Sequence, residues 1–159
     1  MSKDRELVEA WLAAVRRPEV CAGLEAVYQM VVDAVAARGP ACWASGRCCN
    51  FKAAGHRLYV TGLEAGYHVW KLGTAPTEAA VLGAMDRGDC PYLAANLCTA
   101  HAVKPLGCRV YFCDRSAQRW QEELSERGLK MIRELHDRSG IEYRYGEWNQ
   151  MLLAFASGS

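Results

Sequence analysis

The chain has 159 residues, 51% hydrophobic and 23% charged, which suits one compact domain burying roughly two-thirds of its unfolded surface and is too short for two full-sized ones. Nineteen Lys and Arg against eighteen Asp and Glu leave a net charge of +1, so the chain has neither the basic field of a nucleic-acid binder nor the acidic excess of a disordered tail. Eight cysteines stand out, below the density of a small disulfide scaffold yet more than packing requires.

The amino-terminal segment sets Lys3, Asp4, Arg5, Glu6 and Glu9 among its apolar residues, breaking the continuous apolar stretch of a secretory signal. No uninterrupted run approaches the roughly eighteen apolar residues of a membrane span. The expectation is a cytoplasmic protein without membrane or nucleic-acid partners. In that compartment thiols stay reduced, and clustered cysteines bind metal or react rather than pair.

Residues 1–41 predict a helical pair. Leu7, Val8, Trp11, Leu12 and Val15 form an apolar stripe that stops before Pro18; Val20, Leu24, Val27, Val31 and Val35 form a second, ended by Gly39-Pro40. Cys21 lies beside that second stripe and reads as a small buried hydrophobe. Residues 42–113 alternate loops with short elements. Arg57-Leu58-Tyr59-Val60-Thr61 predicts a strand, and Thr61 with Glu64 three positions on makes a capping box that opens a helix over Gly62–Leu72. Pro76 and Gly88 bracket another helix containing Val81, Leu82 and Met85. The cysteines then fall in loops beginning at Cys42, Cys90 and Cys108, where ligands from distant positions can converge. Residues 114–159 return to helix, with Trp120, Leu124, Met131, Ile132 and Leu135 on one side until Ser139-Gly140, although Gly128 weakens the middle. Ile141-Glu142-Tyr143-Arg144-Tyr145 alternates as a strand does, and Trp148, Met151, Leu152 and Phe155 predict a final helix. The periodic placement of Trp120, Trp148, Tyr143 and Tyr145 assigns them to core packing. The fold class is thus mainly α with short β segments, one small domain over residues 1–159 whose metal-binding loops ride on a helical frame.

Seven of the eight cysteines fall in residues 42–113, spaced Cys42-x5-Cys48-Cys49, forty residues, then Cys90-x7-Cys98-x9-Cys108-x4-Cys113. No C-x-x-C occurs, which counts against a thioredoxin-type pair, a zinc ribbon, a C2H2 finger and the bacterial ferredoxin run. The same block holds seven Lys and Arg against four acids, and nearby cations lower thiol pKa and offset the charge of a thiolate-bound metal.

These residues resemble the YkgJ-type cysteine-cluster family, a zinc- or iron-chelating domain with the hallmark C-x-x-C-x-x-C-C. Aligned on its terminal pair, the hallmark falls on Cys42, Ser45, Cys48 and Cys49, with serine in place of the second cysteine. Downstream, Cys90-Pro91-Tyr92-Leu93 matches the family's Cys-Pro-aromatic-Leu segment, and Cys98, Lys104-Pro105, Cys108-Arg109 and Tyr111 match its second half. The segment from Thr61 to Glu64 resembles the family's strand-to-helix stretch between the two. Cys113 is a thiol that the common pattern lacks, and His101 stands where the family tends to have an aromatic residue.

The resemblance implies metal or iron–sulfur binding by Cys42, Cys48, Cys49, Cys90, Cys98, Cys108 and Cys113. Soft thiolates select zinc or iron–sulfur clusters. Adjacent Cys48 and Cys49 reach the separate corners of a [4Fe-4S] cluster more easily than one zinc ion, so a cluster is the expected cofactor, with zinc the alternative. His101 has ligand spacing from Cys98 and reads equally as a residue packed against the site. Arg109 either donates to ligand sulfur, and so helps bind the cofactor, or pairs with Asp114 or Asp89. His56, His68 and His136 have no partner pattern and read as ordinary. The expected role is electron transfer, sensing or modification of a partner protein, since flagellin lysine methylases are similar in carrying such a cluster. A structural zinc module and a small iron-dependent enzyme are the alternatives; no complete catalytic motif is present.

Overall fold

The computed structural model describes residues 3–38, 58–94, 97–110 and 118–156. Helix α1 (Lys3–Val15) buries Leu7, Val8, Trp11, Ala14 and Val15 and places Asp4 and Glu6 in its first turn, where the helix dipole favours acids. Pro18 then opens α2 (Pro18–Arg38) at a position where its missing N–H costs nothing. By length and composition α2 could cross a membrane, although Glu25 and Asp33 interrupt its apolar residues. Here its Val20, Leu24, Val27, Tyr28, Val31 and Val35 stripe is buried against later helices.

Strand β1 (Tyr59–Thr61) runs directly into α3 (Gly62–Leu72). The Thr61 hydroxyl accepts from the Glu64 N–H at 3.3 Å, and Gly73 ends the helix at φ 80°. Helix α4 (Glu78–Arg87) is capped by Thr77, whose hydroxyl accepts from the Ala80 N–H at 3.1 Å, and closed by Gly88 at φ 77°. The hairpin of β2 (Leu93–Ala94) and β3 (Leu97–Cys98) leads through a 3₁₀ turn (His101–Val103) into α5 (Leu106–Val110). Helix α6 (Gln118–Ser139), β4 (Tyr145–Glu147) and α7 (Trp148–Phe155) complete the described order. The architecture is mainly α with short β segments, as expected.

Helix α3 is the centre of the packing. All residues from Gly62 to Val69 are buried, with Leu63 and Tyr67 in a core shared with α2, α5 and α6, and Ala65 and Val69 in a core shared with α1, α4 and α7. Gly62 makes this possible, since a Cβ there would run into the Trp11 indole of α1, and a Cβ at Gly66 would sit 3.2 Å from the Trp11 carbonyl oxygen. Gly128 has a comparable use: a Cβ would lie 2.8 Å from Leu106 Cδ1, so the glycine that weakens α6 lets α5 dock on it.

Four expectations are corrected. The strand near residue 141 lies further on, with Tyr59 opposite Glu147, Val60 opposite Gly146 and Thr61 opposite Tyr145. The Glu142 carbonyl is already taken by Trp11 Nε1 (3.0 Å) and His136 Nδ1 (3.1 Å), and the Arg144 carbonyl accepts from the Gly62 N–H just past β1 at 3.1 Å, so the strand pairing begins only at Tyr145. Cys108 lies in a short helix and Cys98 in a strand, rather than in open loops; the Pro105 carbonyl accepts from the N–H groups of Cys108 and Arg109 and starts α5. Cys21 is half-buried instead of fully packed, its Sγ donating to Glu25 Oε1 at 3.5 Å. Tyr145 is 49% exposed and stacks on the exposed Tyr59 at 5.7 Å, outside the core. Trp148 is 1% exposed, as core packing requires.

Candidate metal centre

Of the predicted ligands, Cys90 and Cys108 have described side chains. Both are buried in the same core, and with Cys21 they stand outside any disulfide. Cys98 lies on β3 opposite Leu93, and the Leu93 N–H donates to the Cys90 carbonyl at 3.0 Å, so the backbones at Cys90 and Cys98 meet at one end of the hairpin. Cys42, Ser45, Cys48, Cys49, Cys113 and Asp114 lie outside the described residues. His101 opens the 3₁₀ turn.

Helix α7 holds the Cys90 segment in place. Asn149 Nδ2 donates to the Asp89 carbonyl at 2.8 Å, and Trp148 Nε1 donates to Cys90 Sγ at 3.2 Å. The indole N–H is a donor only, so the sulfur supplies its acceptor. Tyr92 lies edge-on to His68 at 4.7 Å, and His68 lies edge-on to Trp148 at 4.9 Å. The indole that donates to the thiol therefore belongs to an aromatic cluster drawn from α3, α7 and the turn before β2. Burial, and the negative charge Cys90 would carry, push the Tyr92 hydroxyl pKa up.

His68, read from sequence as ordinary, is 1% exposed. Its Nδ1 lies 3.0 Å from the Val103 carbonyl; a carbonyl accepts only, so Nδ1 carries the proton and Nε2 the lone pair. Burial pulls its pKa down to about 4, with the Val103 bond opposing, and the ring is neutral at physiological pH. One turn earlier on α3, Glu64 is 1% exposed. Burial pushes its pKa up to about 8, partly offset by the N–H groups of Leu106 and Thr61 and by the Arg109 charge. Those N–H groups face the carboxyl without reaching hydrogen-bond geometry, and neither oxygen has a partner among the described residues. In sequence Glu64 has only the spacing of a capping-box partner to Thr61, and His68 has no partner pattern. The available signal was Gly62 and Gly66 four residues apart, a small-residue stripe along which a second helix can close.

Arg109 neither pairs with Asp89 nor is bonded to Cys90. Its Nε donates to the Lys104 carbonyl at 2.7 Å, its Nη2 to the Ala102 carbonyl at 3.4 Å, and its guanidinium lies 4.0 Å from the Tyr28 ring centroid. Asp89 pairs with Arg87 through two 3.3 Å contacts. Arg109 thereby stiffens the residue 102–109 turn that carries Cys108.

Among the described residues no three His, Cys, Asp or Glu side chains converge as a complete metal site. They offer a buried thiol with an N–H donor on its sulfur, a second buried thiol in the same core, and an imidazole with a bare lone pair. That donor set fits a thiophilic metal, since sulfur and imidazole are the ligands zinc and iron clusters take. No family model, curated protein or solved structure matches the chain.

Proposed function

We propose that this chain is a cysteine-cluster metal protein that holds an iron–sulfur cluster, of the [4Fe-4S] kind, on thiolates drawn from Cys42, Cys48, Cys49, Cys90, Cys98, Cys108 and Cys113. The observation that carries the reading is Cys90: a buried thiol outside any disulfide whose sulfur accepts the Trp148 N–H. An N–H aimed at a ligand sulfur stabilises the thiolate and raises the potential of a bound cluster. The cluster would supply one-electron chemistry, and the role would be electron transfer, sensing or modification of a protein partner in the cytoplasm. The chain's own contribution is to exclude water from Cys90 with Trp148, Tyr92 and His68. It also fixes the Cys90 and Cys108 segments from behind through Asn149 and Arg109. The YkgJ-type likeness of the Cys90-Pro91-Tyr92-Leu93 and Cys108-Arg109 segments supports the same assignment.

Cys90→Ser and Cys108→Ser should each lose the metal while the helical signal in circular dichroism stays close to that of the metal-free wild type. Retention of full iron in both variants would refute the ligand assignment. A colourless protein with stoichiometric zinc would replace the cluster by a structural zinc module, whose removal unfolds the domain.

A further inference from the structure

We infer that His68 supplies a nitrogen ligand, through Nε2, to the metal centre that Cys90 helps to hold; the inference rests on the metal-binding reading above. Metal-ligating histidines characteristically give their other ring N–H to a backbone carbonyl or carboxylate, which fixes the tautomer and aims the lone pair. His68 has that arrangement: Nδ1–H is held by the Val103 carbonyl at 3.0 Å, leaving Nε2 as a bare acceptor. Nε2 is buried and has no hydrogen-bond partner among the described residues, although a lone pair kept from water is costly unless something occupies it. Its surroundings are those of Cys90. The ring packs edge-on to Trp148, whose N–H is bonded to Cys90 Sγ, and to Tyr92, two residues beyond Cys90.

His136 provides an internal control. It is fully buried, its Nδ1 is held by the Glu142 carbonyl at 3.1 Å, and its Nε2 is likewise without a partner among the described residues. Its ring packs on Tyr143, whereas that of His68 packs on the indole whose N–H is bonded to Cys90. A bare Nε2 alone therefore does not make a ligand. The aromatic cluster that reaches Cys90 Sγ is what sets His68 apart. A neutral imidazole in place of a thiolate also removes one negative charge from a cluster and raises its reduction potential.

The test uses the full-length chain, labelled with ¹⁵N-histidine and reconstituted anaerobically with ferrous iron and sulfide. Pulsed electron paramagnetic resonance of the reduced protein should show the strong coupling of a directly bonded nitrogen. That coupling should disappear in His68→Cys, which keeps the iron and shifts the reduction potential downward, and persist in His136→Phe. Iron uptake without strong nitrogen coupling, or coupling that survives His68→Cys, overturns this proposal and leaves the cluster reading intact. Failure of the wild type to take up iron overturns both.

Discussion

Replacing Trp148 by Phe removes one hydrogen-bond donor from a buried aromatic ring and so isolates the Nε1–H···Sγ contact at 3.2 Å. If Cys90 is a thiolate ligand, the lost bond is charge-assisted and is worth about 1.5–3 kcal/mol. At about 1.4 kcal/mol per decade that weakens metal binding by roughly 10- to 150-fold. If Cys90 is only a packed thiol, sulfur is a weak neutral acceptor and the metal affinity does not move. The smaller ring also loosens a residue that is 1% exposed, costing about 1–3 kcal/mol of stability whatever the sulfur does. The two effects separate when Trp148→Phe is assayed for metal affinity by competition with a chelator and for metal-free stability by urea unfolding. A loss of about tenfold or more in affinity is expected. An affinity equal to that of the wild type would refute the claim that the indole supports a ligand.

Glu64→Gln should remove a pH dependence. The unfolded chain releases this proton near 4.5 and the folded chain holds it to about 8, so wild-type stability is greatest at low pH and is lost as pH rises through that window, at up to about 1.4 kcal/mol per pH unit. His68 acts oppositely and lower down, its stabilisation being lost as pH falls from 6.5 toward 4. The clear window is therefore pH 6.5 to 8, where urea unfolding should show Glu64→Gln gaining about 2 kcal/mol on wild type; a constant difference contradicts a protonated Glu64. Gly62→Ala should destabilise by about 1–3 kcal/mol, because the methyl group meets the Trp11 indole. The exposed Tyr145→Ala should cost under about 1 kcal/mol in the same unfolding assay, and equal losses would refute the central packing of α3.

The helices were legible because their signals are local. Thr61 with Glu64, Pro76 with Gly88, and stripes such as Leu7, Val8, Trp11 and Val15 identify starts, stops and buried faces without knowledge of neighbours. The strand at Tyr145–Glu147 was misplaced because its position is set by pairing with Tyr59–Thr61, a partner distant in sequence, while the Glu142 carbonyl just before it is taken by Trp11 and His136. The cysteine framework was visible as spacing, and Cys90 and Cys108 do share one core. The groups behind it were not. Glu64 and His68, four apart on a capped helix, match a solvated face; only Trp11 closing over the glycines and Trp148 arriving from α7 turn them inward. The bonds of Arg109 to two carbonyls and its place over the Tyr28 ring follow from how α5 lies on α2 and α6, which no spacing encodes.

Whether the cysteines hold an iron–sulfur cluster is tested most directly by anaerobic purification followed by iron, sulfide and zinc analysis and electron paramagnetic resonance of the reduced protein. The expected result is a brown protein with iron and acid-labile sulfide in equal amounts and a cluster signal that Cys90→Ser abolishes; a colourless protein carrying neither iron nor sulfide would contradict the proposal.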